Sequence, residues 1–88
     1  MTYKLILGSR FLKSVERLDN HLKPKLKSSL DILFKNPFHP TLHTKSLSGK
    51  FSGYHSFRLG RDYRVIFKFL SPEKIFLIDL GDRKDVYR

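Results

Sequence analysis

The spacing of hydrophobic positions changes period along this chain. Residues 3–7, Tyr-Lys-Leu-Ile-Leu, form a short, mostly apolar run that predicts a strand, and Gly8-Ser9 ends it. Ser9 is the expected N-cap of a helix. Phe11, Leu12, Val15 and Leu18 then fall at i, i+1, i+4 and i+7, one face of a helix of about ten residues. Arg10, Lys13, Ser14, Glu16 and Arg17 take the other side. Asn20-His21 breaks the pattern. A second helix is expected from Leu22 to Lys35, with Pro24 in its first turn, where a missing N–H costs nothing. Its stripe is Leu26, Leu30, Leu33 and Phe34, and Asn36-Pro37 stops it.

Residues 37–53 carry turn formers and cations in place of a period, so they read as a long loop pinned to the core by Leu47 and Phe51. Period two then takes over. Tyr54 to Leu59 predicts a strand, and Gly60-Arg61 a turn. Asp62 to Leu70 predicts a long strand, with Tyr63, Val65, Phe67 and Phe69 on one face and Arg64, Ile66 and Lys68 on the other. Ser71-Pro72-Glu73 turns, Lys74 to Leu80 is another strand, and residues 82–88 add a short strand or stay extended. The order β-α-α-β-β-β makes an α+β fold, with two helices packed on one face of a largely antiparallel, twisted sheet and basic residues on the other. Residues 1–88 are room for a single domain.

Charge sharpens this picture. The chain has 18 Lys+Arg against 8 Asp+Glu, a formal net charge of +10. That is the signature of a polyanion binder: nucleic acid first, then an acidic protein partner, then an anionic membrane surface. The absence of Cys excludes a disulfide scaffold, thiol catalysis and Cys-ligated metal. The four histidines, His21, His39, His43 and His55, lack metal-ligand spacing, and the carboxylates are scattered, so neither zinc nor a two-metal nuclease site is expected. No cofactor fingerprint is present. No signal peptide or membrane span is visible, which makes the cytoplasm the expected compartment.

Arg58 and Arg64 are the informative cations. They flank the Gly60 turn on neighbouring strands, so they can approach each other and grip a phosphate together. Lys45, Lys50, Arg61, Lys68 and Lys84 are the further RNA-binding candidates, with Arg83 and Arg88 at the C-terminus. Among the aromatics, Phe57, Phe67, Phe69 and Phe76 read as core. Tyr87, beside a cation, can stack on a base or touch a phosphate. His55 and His43 flank the basic loop, and His55 is the candidate acid–base group. RNA can be cut without metal because its own 2′-hydroxyl attacks the adjacent phosphate. The protein then has to move protons and hold the phosphorane charge.

The loop Leu47-Ser48-Gly49 … Gly53-Tyr54, the segment Ser56-Phe57-Arg58-Leu59-Gly60-Arg61-Asp62-Tyr63-Arg64-Val65-Ile66-Phe67 and the ending Ile78-Asp79-Leu80-Gly81-Asp82-Arg83-Lys84-Asp85-Val86-Tyr87 resemble the RelE/ParE toxin superfamily over essentially the whole chain. The resemblance implies the toxin of a type II toxin–antitoxin pair: a metal-independent endoribonuclease that cuts mRNA in the ribosomal A site and is neutralised by a cognate antitoxin, whose complex can also bind operator DNA. ParE-like members instead poison DNA gyrase, and a non-toxic member would only bind antitoxin and operator. By the same resemblance Arg64 matches the arginine that stabilises the scissile phosphate, Arg83 a catalytic arginine and Tyr87 the terminal aromatic that positions substrate. Arg58 and Arg83 stand where the YafQ-like branch has histidines, Asp62 where it has an aspartate, and Lys45 near its loop histidine. A guanidinium of pKa above about 12 holds charge well and donates protons badly. Acid–base work then falls to His55 or Lys45.

Overall fold

A computed structural model describes residues 2–87 of the chain; Arg88, one of the expected C-terminal cations, lies outside them. The elements are β1 (Lys4–Leu7), α1 (Ser9–Arg17), α2 (Lys23–Lys35), β2 (Lys45–Ser46), β3 (His55–Leu59), β4 (Tyr63–Ser71) and β5 (Lys74–Asp82), with short 3-10 turns at Asn20–Leu22, Pro40–Leu42 and Gly49–Phe51. One sheet runs β1-β5-β4-β3-β2. Only the β1–β5 pairing is parallel. The predicted α+β architecture therefore holds. The long loop is more structured than its composition suggests, because Lys45 and Ser46 pair with Ser56 and His55 as an edge strand.

Strand alternation puts one side of the sheet against the helices. Phe57 and Leu59 of β3, Val65 and Phe67 of β4, and Ile75, Leu77 and Leu80 of β5 join Phe11, Leu18, Leu26 and Leu33 in one buried cluster. Burying each large apolar side chain is worth roughly 1.5–3 kcal/mol. Leu42 belongs to the same cluster and Pro37 is also fully buried, so these two anchor the loop; Leu47 and Phe51 are only half-buried. Leu12 and Phe34, expected in the helix stripes, are 45% and 41% exposed. Phe76 is half-buried and projects from β5 between the core residues Ile75 and Leu77, lying over Gly8 rather than in the core. Phe69 packs at the edge of the cluster.

Two local devices seat α1. The helix starts one residue earlier than its serine suggests: Gly8 is the N-cap, with no side-chain cap, and Ser9 is already helical. The reason is a close approach. Gly8 N–H donates to the Leu77 carbonyl at 2.9 Å, and a Cβ at Gly8 would stand 2.7 Å from that same oxygen. The second device is a β-bulge. Ile78 and Asp79 both stand between Leu77 and Leu80, whereas β4 has only Ile66 between Phe67 and Val65. The Asp79 carboxylate accepts from Ser14 Oγ at 2.8 Å and from the Leu80 N–H at 2.8 Å, and pairs with Arg10 at 3.3 Å.

His55 pairs with Phe67 across β3 and β4, on the helix-side face. Its ring stacks on Phe67 at 5.5 Å and meets Phe69 and Phe38 edge-on at 5.3 and 5.9 Å. Nδ1 is buried without a hydrogen-bond partner, and desolvation lowers the pKa of the imidazole below its usual 6.5.

Two outcomes follow from this packing. Gly8→Ala should destabilise the fold by about 1–3 kcal/mol, because a backbone oxygen of β5 cannot step aside as a side chain can; an unchanged urea midpoint would contradict this contact. For His55 the folded state binds its proton less readily than the unfolded state does. Its contribution is fully present above pH 6.5 and is lost as pH falls through and below that value. Urea unfolding at pH 7.5 and pH 5 should therefore show a larger stability loss in the wild type than in His55→Phe. Equal losses would mean that His55 titrates as if exposed.

Candidate nucleic-acid interface

The site is built on the other side of the sheet. Arg58 stands directly opposite Arg64, and Arg64 opposite Gly81, so three strands contribute one row. In the next row Lys45, Ser56 and Ile66 are paired across β2, β3 and β4. Like charges placed opposite each other on adjacent strands destabilise a sheet. Among the described residues neither Arg58 nor Arg64 is paired with a carboxylate. An anion between them would turn that repulsion into attraction.

The β3–β4 turn orients Arg64. Gly60 takes φ +67, and Arg64 Nη1 donates to the carbonyls of Arg61 at 3.1 Å and Tyr63 at 3.0 Å. Those bonds fix the guanidinium and leave its Nη2 and Nε hydrogens, the edge suited to a bidentate grip on phosphate. Arg58 is exposed beside it.

The C-terminal residues fold back onto this face instead of continuing as a strand. Asp82 organises the turn: its carboxylate accepts from the Lys84 N–H, and its carbonyl from those of Asp85 and Val86, each at 2.9 Å. The Arg83 N–H donates to the Asp62 carbonyl at 2.7 Å, which ties Arg83 to the turn that holds Arg64. A Cβ on Gly81 would lie 3.3 Å from that of Val86, so the missing side chain lets the turn close. Tyr87 then donates through its hydroxyl to Ser56 Oγ at 3.1 Å, and Ser56 is only 3% exposed. Such a bond contributes about 1 kcal/mol and fixes the ring.

The Tyr87 ring meets Phe51 edge-on at 5.9 Å, and Phe51 lies 6.3 Å from Tyr54. Lys50 sits over Phe51 and Lys68 over Tyr54, each at 5.5 Å from the ring centre. Aromatic rings interleaved with ammonium groups make a surface on which bases can stack while cations meet the backbone.

Most of the sequence-predicted residues are thereby brought together. Arg58, Arg64, Tyr87, Lys45, Lys50 and Lys68 border one face, while Arg83 and Lys84 are exposed on the C-terminal turn, Arg83 tied through its backbone to Asp62, and Arg61 is exposed at the rim. His55 is the exception and a correction to the sequence reading. Its side chain points to the opposite side of β3 from Arg58, into an aromatic cluster, so it cannot exchange a proton with a ligand lying on the cationic face. Three participants were missed: Ser56, which holds the Tyr87 hydroxyl, and Phe51 and Tyr54, which complete the aromatic surface. For Ser56 the signal was present, since a polar residue two positions before Arg58 on a strand shares its face.

No protein-family model matches the chain, and no curated protein matches it in sequence. Solved structures do. YafQ from E. coli strain BL21(DE3) superposes with a TM-score of 0.81 at 20% identity, covering 98% of this chain and 99% of that one. The E. coli DinJ–YafQ toxin–antitoxin complex gives 0.79 at 18% identity with both chains fully covered. The archaeal RelE–RelB complex from Pyrococcus horikoshii OT3 gives 0.77 at 24%, covering 98% of this chain and 100% of that one. What these structures share with the chain is its architecture from end to end: it has the fold seen in YafQ and in RelE bound to RelB.

Proposed function

We propose that the chain is the toxin of a toxin–antitoxin pair and an endoribonuclease that cuts mRNA in the ribosomal A site without a metal. The observation that carries this reading is the row in which Arg58 faces Arg64, with Tyr87 held on Ser56 in the adjacent row. The fold shared with YafQ and with RelE in its complex with RelB supports it, and supports a cognate antitoxin as partner. A net charge of +10 suits a protein that docks on ribosomal RNA.

The chemistry follows from the face. The 2′-oxygen attacks the adjacent phosphorus and the bond to the 5′-oxygen breaks, leaving a 2′,3′-cyclic phosphate and a free 5′-hydroxyl. One proton leaves the 2′-hydroxyl and one reaches the 5′-oxygen. The free edge of Arg64, with Arg58 and Arg83, holds the extra charge on the phosphorane, where a pre-positioned donor acts most strongly. Tyr87 and the aromatic surface orient the nucleotides. Proton transfer falls to Lys45 and Tyr87, both placed at Ser56; His55 takes no part.

The test is a reconstituted translation system with mRNA ends mapped by primer extension. Wild-type protein should cut in the A site and leave cyclic phosphate ends. Arg64→Ala should lower the cleavage rate about 10²–10³-fold, while His55→Phe should cut at the wild-type rate. Intact mRNA at micromolar protein would overturn the nuclease reading and direct attention to gyrase supercoiling.

A further inference from the structure

A cleft of about 330 Å³ opens on the far edge of β3, where β2 no longer covers it. Lys25 and Ser29 line it from α2, His43 from the loop, and Arg58, Gly60 and Arg61 from the β3–β4 hairpin. Lys25 and Ser29 are four residues apart, so they present to one side of the helix. No carboxylate lines this cleft, and among the described residues none of its cations forms an ion pair. The neighbouring hollow, which shares Gly60 and Arg61 with the cleft, is also bordered by Asp19, Asp62 and Asp82, so the carboxylates collect there and not in the cleft.

Two further features mark a built site. Ser29 is 9% exposed, borders the cleft and has no hydrogen bond for its hydroxyl among the described residues. The hydroxyl is not sealed from solvent, and the cleft is the opening that the residue borders, so the oxygen is free to donate to a ligand there. His43 closes the Pro40–Leu42 turn with φ +51, a left-handed conformation that non-glycine residues rarely adopt, and this backbone places it on the cleft.

We infer that this cleft binds a phosphate of a nucleic-acid backbone, held by Lys25, Arg61 and His43 with the Ser29 hydroxyl as an added donor. Arg58 lies at the seam: it stands in the row with Arg64 and also borders the cleft. An RNA strand lying across the cationic face can leave it over the β3 edge, with one phosphate at Arg64 and a flanking phosphate in the cleft. The cleft contributes affinity and register, not bond breaking. The choice of RNA rests on the reading of the sheet face given above; the anion site itself does not.

The experiment uses the full chain and two probes, inorganic phosphate and a short single-stranded RNA that the protein does not cleave off the ribosome. Phosphate titrated into labelled protein should shift the NMR signals of Lys25, Ser29 and His43 saturably. Lys25→Glu should abolish those shifts and Arg64→Ala should leave them. For the RNA, Lys25→Ala should weaken binding several-fold and make the slope of log K against log salt shallower by about 0.7, the loss of one single-strand phosphate contact. Thermal unfolding confirms that the variants fold. Shifts spread evenly over surface lysines, or unchanged in Lys25→Glu, would overturn the site. Phosphate binding that Lys25→Glu abolishes, with RNA affinity and salt slope unaffected in Lys25→Ala, would mark a free-anion site and overturn the nucleic-acid assignment. Both readouts are independent of cleavage, so a failed nuclease assay leaves them interpretable.

Discussion

The pairing of β3 with β4 decides which side chains of this protein can work together. Because pleated strands alternate faces, the register that sets Arg58 against Arg64 also sets His55 against Phe67 and Phe57 against Val65. A slip of β3 by one residue would drive Arg58 into the core and bring Phe57 and Leu59 to the surface. The cost of burying an unpaired guanidinium, together with the loss of Phe57 and Leu59 from the core, therefore enforces the register, and the three-residue turn at Gly60 makes it reachable. Everything assigned to the cationic face depends on that one alignment.

Charge is the opposing constraint. A net +10 on 88 residues works against compactness, and the Arg10–Asp79 pair offsets little of it. Stability is left to the aromatic and aliphatic cluster under the helices and to a few clasps: Gly8 on Leu77, Asp79 on α1 and Tyr87 on Ser56. The last of these belongs to the fold and the site at once. It closes the C-terminal turn over the sheet and fixes the ring that a nucleotide would meet.

Much of this was legible in the sequence. The change from helical to strand periodicity placed both helices and the three long strands, and the alternation from Tyr63 to Phe69 named the core face of β4. What was not legible depended on contacts distant in sequence. Gly8 is the N-cap because of a carbonyl on β5, which no local cap preference reports. Leu12 and Phe34 satisfy helical spacing yet stay largely exposed, because which part of the helical stripe is covered is decided by the packing and not by the period. The bulge at Ile78-Asp79 shows only when β4 and β5 are aligned. His55 looked catalytic by composition, but its parity on β3, three positions before Arg58, places it on the other face. Tyr87 could be singled out by chemistry, but its bond to Ser56 spans 31 positions and is a product of the fold.

The most direct measurement is a structure of the chain bound to a ribosome programmed with mRNA that carries a non-cleavable 2′-deoxy nucleotide in the A site. The account predicts that the sheet face enters the A site with the helices turned away, the scissile phosphate within hydrogen-bond distance of Arg64, and Tyr87 stacked on or touching the flanking nucleotide. An empty A site, or mRNA lying against α1 and α2 with Arg64 remote from any phosphate, would contradict it.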